Sequence, residues 1–290
     1  ENLGQVVAGL TISTTNNRPS VPGFAIRGQR NDAAFITNDP SVGIYVAEAV
    51  QARVFGLAQS LFDLESVQVL KGPQGTLFGR NTTGGAILFQ PQRPVIGGGV
   101  EGYVYGRLGD YERADFQGAL SLPVGDQAAV RLAFNRTQRE GYIEEVALGQ
   151  RLNGEDTISG RVVFLLEPTS TFSNTLYVDY FESDQTGPGT RLTEVRPTSS
   201  AQTTWNAQGE LDRQNATFSW HQVESDIPII STGSNFGFTN VTEVEISPSL
   251  SLKNIFNFRD IDMVEIQDLD GTVLPLLHTD DRQQTVQFSN

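Results

Sequence analysis

The sequence predicts a mainly β protein in which a small N-terminal α/β globule sits inside a large antiparallel transmembrane β-barrel. The complete barrel would hold about 22 strands, of which roughly eight are present here. Three observations lead there. Residues 1 to about 96 carry short mixed elements crowded with turn residues, and from Val100 onward the pattern becomes long alternating strands. Short turns between those strands alternate with long polar excursions, as expected of a barrel with one tight rim and one elaborated rim. A globule of about 95 residues has a radius of gyration of roughly 12 Å. An eight-stranded interior holds side chains only, so the wall has to belong to a much wider barrel.

In chain order, residues 1–11 read as a short helix already in progress that runs into the strand TISTT at residues 11–15. FAIRG, VGIYV and VQVL supply further strands, and a second helical segment is expected around Gly56 to Leu64. Pro91, Pro94 and Gly97-Gly98-Gly99 then punctuate the chain, dividing it into residues 1–96 and residues 97–290. Beyond that point strands are expected near 99–109, 111–122, 127–138, 156–167, 172–183, 236–247, 249–260 and 283–290. Each is about the ~9 to 11 residues, or slightly more, that a tilted strand needs to cross a bilayer. In residues 128–135 Ala, Val, Leu and Phe at even positions alternate with Ala, Arg, Ala and Asn. The same phase runs through 172–181 and 250–259, and the last strand stops in mid-alternation at TVQFSN. Tight turns fall at 123–126, 167–170 and 247–249, and polar excursions at roughly 139–155, 184–235 and 260–282.

The segment VLKGPQGTLFGRNTTGGAI, residues 69–87, concentrates backbone chemistry. Gly72, Pro73, Gly75, Gly79, Asn81, Gly84 and Gly85, with Gly28 upstream, are turn-forming residues, while Val69, Leu70, Leu77, Phe78, Ala86 and Ile87 return side chains to a core. A phosphate cradle of the Walker type would need Gly-Lys-Ser/Thr opening a helix, and here Lys71 comes first. Residues 65–87 closely resemble the plug domain of TonB-dependent outer-membrane receptors. The elements at 22–28, 38–46 and 60–70 match that family in order.

The resemblance implies that residues 1–96 are a plug whose leading portion is absent and residues 97–290 the first part of a barrel. It implies that the chain starts after a leader, a TonB box and a first plug strand, so the segment that grips TonB is missing. It also implies a role: active import across the bacterial outer membrane of a scarce, bulky nutrient, most often a ferric siderophore, with proton-motive force relayed by TonB displacing the plug. Cobalamin, haem, nickel chelates and oligosaccharides are other cargoes of the family. The implied partners are TonB, the lipid bilayer with its lipopolysaccharide, and a small bulky ligand such as an iron chelate.

By the same resemblance Arg27 and Lys71, with Arg80 beside them, are candidates to lock the plug onto acidic wall residues, although Lys71 lacks the bidentate fork of the commoner arginine. Ordinary solvated turn cations are the rival reading. Arg30, Asn31, Phe35 and Gln51 lie in segments expected to be apical plug loops that touch ligand, and Trp205, Trp220 and His221 in the 184–235 excursion complete the candidate binding set. A loop without any contact is the rival reading for each.

Composition narrows the function further. The chain holds 20 basic and 34 acidic residues, a net charge of −14 that argues against nucleic acid as partner. It has no cysteine, hence no disulfide and no thiolate metal site. No apolar run approaches the ~18 residues of a membrane helix, a test that barrel strands escape. No nucleophile-base or metal-ligand cluster is legible, so no catalytic residue, metal or cofactor is expected. Glu243 and Glu245 lie about 7 Å apart on one strand face, a spacing that suits an inverting glycosidase. A polar lumen-facing surface is much the stronger explanation, since neither carboxylate has an apolar neighbourhood in sequence. Two rival functions therefore stand beside import: a passive diffusion porin with an N-terminal insert, and a soluble β-rich hydrolase using Glu243 or Glu245.

Overall fold

Turn chemistry and short apolar runs build the first part of the molecule. The computed structural model describes residues 3–15, 18–30, 39–55, 57 and 61–290. Its N-terminal part contains α1 (Leu3–Val6), β1 (Leu10–Thr15), β2 (Arg18–Ile26), β3 (Val42–Val46), β4 (Ala49–Val50), β5 (Leu64–Lys71), α2 (Gly75–Phe78) and β6 (Gly85–Pro91). β1 and β2 form an antiparallel hairpin, and the other four strands form a sheet in the order β4-β3-β6-β5. Within it β3 runs parallel to β6, so the chain between them crosses over. All five residues of β3 are buried, as befits a strand covered on both faces. Leu10, Phe24, Ile26, Val42, Ile44, Val46, Ile87 and Phe89 make the core. Gly85 explains the Gly-Gly of the motif: its φ is +149°, and a Cβ there would stand 2.3 Å from the Leu70 carbonyl oxygen.

The expected opening helix and the strands TISTT, FAIRG, VGIYV and VQVL are all found: β1 and β5 run past TISTT and VQVL, β3 coincides with VGIYV, and β2 starts earlier than FAIRG but ends at Ile26, before its Arg27-Gly28. The motif differs in one respect, since Gly75–Phe78 forms a helical turn too short for periodicity to reveal. Of the helical segment expected at 56–64, Gly56 and residues 58–60 lie outside the described residues, and Leu64 already opens β5.

Residues 92–100 contain neither helix nor strand. There follow β7 (Glu101–Gly109), β8 (Arg113–Pro123), β9 (Ala128–Arg139), β10 (Ile143–Glu145), β11 (Arg151–Leu152), β12 (Glu155–Thr169), β13 (Phe172–Gln185), α3 (Ser200–Trp205), α4 (Ala207–Thr217), β14 (Gln222–Val223), β15 (Ile230–Ser247), β16 (Leu250–Asp268) and β17 (His278–Ser289). Eight of these strands form one antiparallel sheet, ordered β17-β16-β15-β13-β12-β9-β8-β7. They are the eight expected, joined by the expected short turns.

Period-two alternation gives this wall two unlike faces. Leu132 and Phe134 are exposed while Arg131 and Ala133, which alternate with them, are buried. One register row on the outward face reads Leu132, Val162, Val178, Phe238, Phe258 and Phe288 across six strands, an apolar band suited to lipid.

Three strands run past their expected ends. β15 begins at Ile230, β16 continues to Asp268 and β17 starts at His278, which cuts the expected 260–282 excursion to residues 269–277. At ~3.3 Å per residue β16 is roughly 60 Å long, well beyond what a bilayer requires. Outside the membrane the outward positions become polar, as at Asp260 and Asp262, so alternation fades there while the backbone ladder continues.

The excursions expected at 139–155 and 184–235 fold together into one lobe. β10, β11 and β14 form a small sheet over Leu152, Val223 and Ile229. α3 starts on the Ser199 side chain, which accepts from the Gln202 N–H. The Glu145 carboxylate, fully buried, accepts three backbone N–H groups, from Ala147, Leu148 and Ser225. Arg213 joins Glu210 to Glu224, and its hydrogen bond holds the Glu210 carboxyl below the usual carboxylate range.

Candidate functional site

The inward face of the wall meets the N-terminal globule through charges set in the middle of apolar strands. On β9, Arg131 points inward and grips Asp63, which immediately precedes β5. Its Nε donates to Asp63 Oδ2 at 2.7 Å, its Nη2 to Oδ1 at 2.5 Å and its Nη1 to Ser121 Oγ at 2.8 Å. Both side chains are over nine-tenths buried. Asp63 is held at φ +52°, and its carbonyl accepts from the Gln92 N–H at 2.9 Å, so the carboxylate is fixed from the globule side. Beside it the Phe62 ring packs on Ala119 and Ala133. A bidentate, desolvated pair of this kind is a strong orienting contact whose rupture strands a charge.

A second cluster lies along one register row of the wall: Arg161, Asp179, Gly237 and Arg259. Arg161 Nε donates to Asp179 Oδ1 at 2.6 Å, and its Nη1 reaches the Phe62 carbonyl at 2.9 Å. From the other side Arg259 Nη2 approaches Asp179 Oδ2 at 3.4 Å. Gly237 makes that crossing feasible, because a Cβ there would lie 2.9 Å from Arg259 Cγ. Phe55 of the globule meets Phe181 edge-on at 5.8 Å, and its carbonyl accepts from Asn235 Nδ2 at 3.1 Å.

Toward the short-turn rim, Ala47 packs with Val163, Tyr177 and Val241. Gln90 Nε2 donates to the Tyr177 hydroxyl at 3.0 Å. Lys253 of the wall bridges Glu48 of the globule and Glu243 of the wall at 2.7 Å each. Between these contacts lies a cavity of about 480 Å³ bordered by Glu65, Gln68, Gln90, Arg93 and Lys253. The interface thus combines buried and half-buried ion pairs with a polar gap. Among the described residues no group of three or more metal-ligating side chains is assembled. Glu243 is paired with a cation, a poor setting for a general acid.

The residues singled out from sequence fall in several places. Arg27 and Lys71 are exposed and form no ion pair among the described residues, and Arg80 approaches Asp39 of the globule at 4.0 Å. The globule-to-wall ion pairs, Asp63–Arg131 and Glu48–Lys253, run the other way, with the carboxylate on the globule and the cation on the wall. Arg30 Nη1 donates to Ser13 Oγ at 2.7 Å, while Asn31 and Phe35 lie outside the described residues. Gln51 is buried at the wall interface, its amide donating to the Ala49 carbonyl at 3.1 Å. Trp205 and Trp220 are exposed on the outer lobe, Trp220 under the Arg191 guanidinium at 5.7 Å, and exposed His221 lends its carbonyl to the Glu144 N–H. Gln51 and the tryptophans therefore belong to different parts of the molecule. Gly28, Gly72, Gly79 and Asn81 all take φ between +67° and +96°. Gly75 opens α2, Pro73 lies just before it, and the Gly84 N–H bonds the Ser41 carbonyl at 2.8 Å.

Sequence reasoning passed over Asp63, Arg131, Arg161, Asp179 and Arg259 as functional residues. The signal was present: each wall charge interrupts an apolar strand on its lumen phase, where a buried partner is the only cheap explanation.

The family model described as TonB-dependent Receptor Plug Domain matches residues 1–86. The chain is 34% identical over 128 residues to the pesticin receptor of Yersinia enterocolitica, a match covering 43% of this chain and 18% of that receptor. The pesticin receptor of Yersinia pestis matches to the same extent. Among solved structures, the ferric yersiniabactin uptake receptor FyuA from Yersinia pestis is similar over 90% of this chain and 38% of its own, with TM-score 0.70 and 19% identity. The ferripyoverdine receptor of Pseudomonas aeruginosa is similar over 97% of this chain and 34% of its own, with TM-score 0.61 and 12% identity. The chain thus spans well under half the length of the proteins it matches.

Proposed function

The chain carries the plug domain and first barrel strands of a TonB-dependent outer-membrane receptor, and from that premise we propose that the whole protein imports a scarce, bulky nutrient, a ferric siderophore before other cargoes. The observation that carries the reading is the plug held against the wall by the buried Asp63–Arg131 pair and the Phe62–Arg161 contact. A passive porin has no use for a desolvated latch of that kind, whereas an importer that opens only on demand needs one.

In this reading ligand binds at the outer face, the signal passes through the plug to a TonB box, and TonB draws on proton-motive force to break the latches. Arg27, Lys71 and Arg80 are proposed to meet acidic residues elsewhere on the wall, and Trp205, Trp220 and His221 to meet ligand from the outer lobe. The siderophore preference draws support from the names of the relatives, which include a ferric yersiniabactin uptake receptor and a ferripyoverdine receptor.

The test is growth of a strain deleted for the full-length protein on a panel of iron chelates, cobalamin and glycans as sole sources. A defect confined to one ferric chelate, and reproduced by loss of TonB, is expected. Normal growth on every source, or uptake that persists without TonB, would overturn the reading.

A further inference from the structure

One hairpin of the plug carries the wrong turn chemistry for its shape, and we infer that the barrel wall, rather than the turn, keeps the β3–β4 hairpin closed. Val46 pairs with Ala49, so Ala47 and Glu48 form a two-residue loop. Both lie in the left-handed region, at φ +49° and +66°, as a type I′ turn demands. Such a turn favours Asn-Gly or Asp-Gly, because a Cβ is crowded at positive φ. The same domain follows that rule elsewhere: Ile26 bridges Gln29 around Arg27-Gly28, and the second position, at φ +75°, is glycine.

The side chains that strain the turn are matched to the wall. Ala47 packs with Val163, Tyr177 and Val241, a contact that glycine would lack, and Glu48 reaches Lys253 Nζ at 2.7 Å. β4 is only Ala49–Val50, and its two cross-strand pairs are too few to hold a disfavoured turn shut.

The wall supplies what is missing on the other side of β4. Gln287 of β17 donates from Nε2 to the Val50 carbonyl at 2.9 Å, and its Oε1 accepts from the Ala52 N–H at 3.1 Å. One side-chain amide thus stands where a neighbouring strand's backbone would be. The hairpin is a seating device: it is complete while the plug occupies the wall and opens when the plug leaves, and relief of its strain favours departure. The inference concerns seating alone and stands whichever cargo the receptor carries.

Amide hydrogen exchange of the full-length receptor tests this at Ala47 and Gln51. Their N–H groups bond the Phe89 and Ile44 carbonyls within the plug, at 3.0 and 2.8 Å, so neither loses its own acceptor when the wall is altered. In Gln287→Leu combined with Lys253→Met, exchange at both should rise about tenfold or more, while Ile87 in the middle of the sheet stays protected. Adding Glu48→Gly should slow that exchange again, because it relieves the turn without restoring any wall contact. Unchanged exchange in the wall variant, or no recovery with glycine, would overturn the inference. Where the wall variant fails to fold, the wild type decides the matter in urea: protection at Ala47 and Gln51 should vanish as the plug is released, and protection that outlasts release would overturn it.

Discussion

Replacing Arg131 by alanine is expected to loosen the plug from the wall by about 3–5 kcal/mol, the range for breaking a buried ion pair from one side. The size follows from what remains: the Asp63 carboxylate, 3% exposed and gripped in two places by Arg131, its one cationic partner among the described residues, would be left in a dry contact without that partner. Urea titration of the full-length receptor in planar bilayers checks this, since plug release opens a conducting path. Arg131→Ala should conduct at much lower urea than wild type. The double variant Arg131→Met with Asp63→Leu should recover most of the difference, because removing both charges also removes the stranded one. An unchanged midpoint in Arg131→Ala would mean that the pair does not hold the plug.

On the other face of the same strand, Leu132→Arg is expected to cost about 2–4 kcal/mol, the range for a lipid-facing cation near the bilayer midplane. Leu132 sits within the outward row that continues through Val162, Val178, Phe238, Phe258 and Phe288, so the introduced guanidinium would face acyl chains. Gln117→Arg is the matched control. Its neighbour is the Tyr103 hydroxyl at 2.6 Å on the lumen phase of β8, and a surface change there should stay within about 0.5 kcal/mol. The fraction of receptor reaching its folded form in outer membranes measures both. Equal yields for the two variants would contradict the assignment of faces.

Much of this architecture is legible in the residues because strand period and turn chemistry are local. In β9 a single row of eight residues reveals which face meets lipid, and Gly85 betrays the close approach of β5 and β6. Legibility fails where the physics is non-local. β15 and β16 extend past their apparent ends because hydrogen-bonded pairing persists after the lipid that imposed alternation has been left behind. The outer lobe is read as an open excursion because its helices are short, although Ser199 and the Glu210–Arg213 spacing mark their starts and faces. Sequence alone points to the cations of conspicuous turns, Arg27, Lys71 and Arg80, as lock residues. The latch that forms uses Asp63, one residue before a strand, and a wall arginine 68 positions away, a pairing that only the folded chain brings about.

The central claim is that the N-terminal domain occupies the inside of the wall, and a cross-link tests it most directly. The chain contains no cysteine, and the rings of Phe55 and Phe181 meet at 5.8 Å across the interface. With cysteine at both positions in the full-length receptor, a short bis-thiol reagent applied to outer membranes should yield one internally linked species that joins plug to barrel after proteolysis. Two cysteines that react independently and never become linked would show that the domain lies elsewhere.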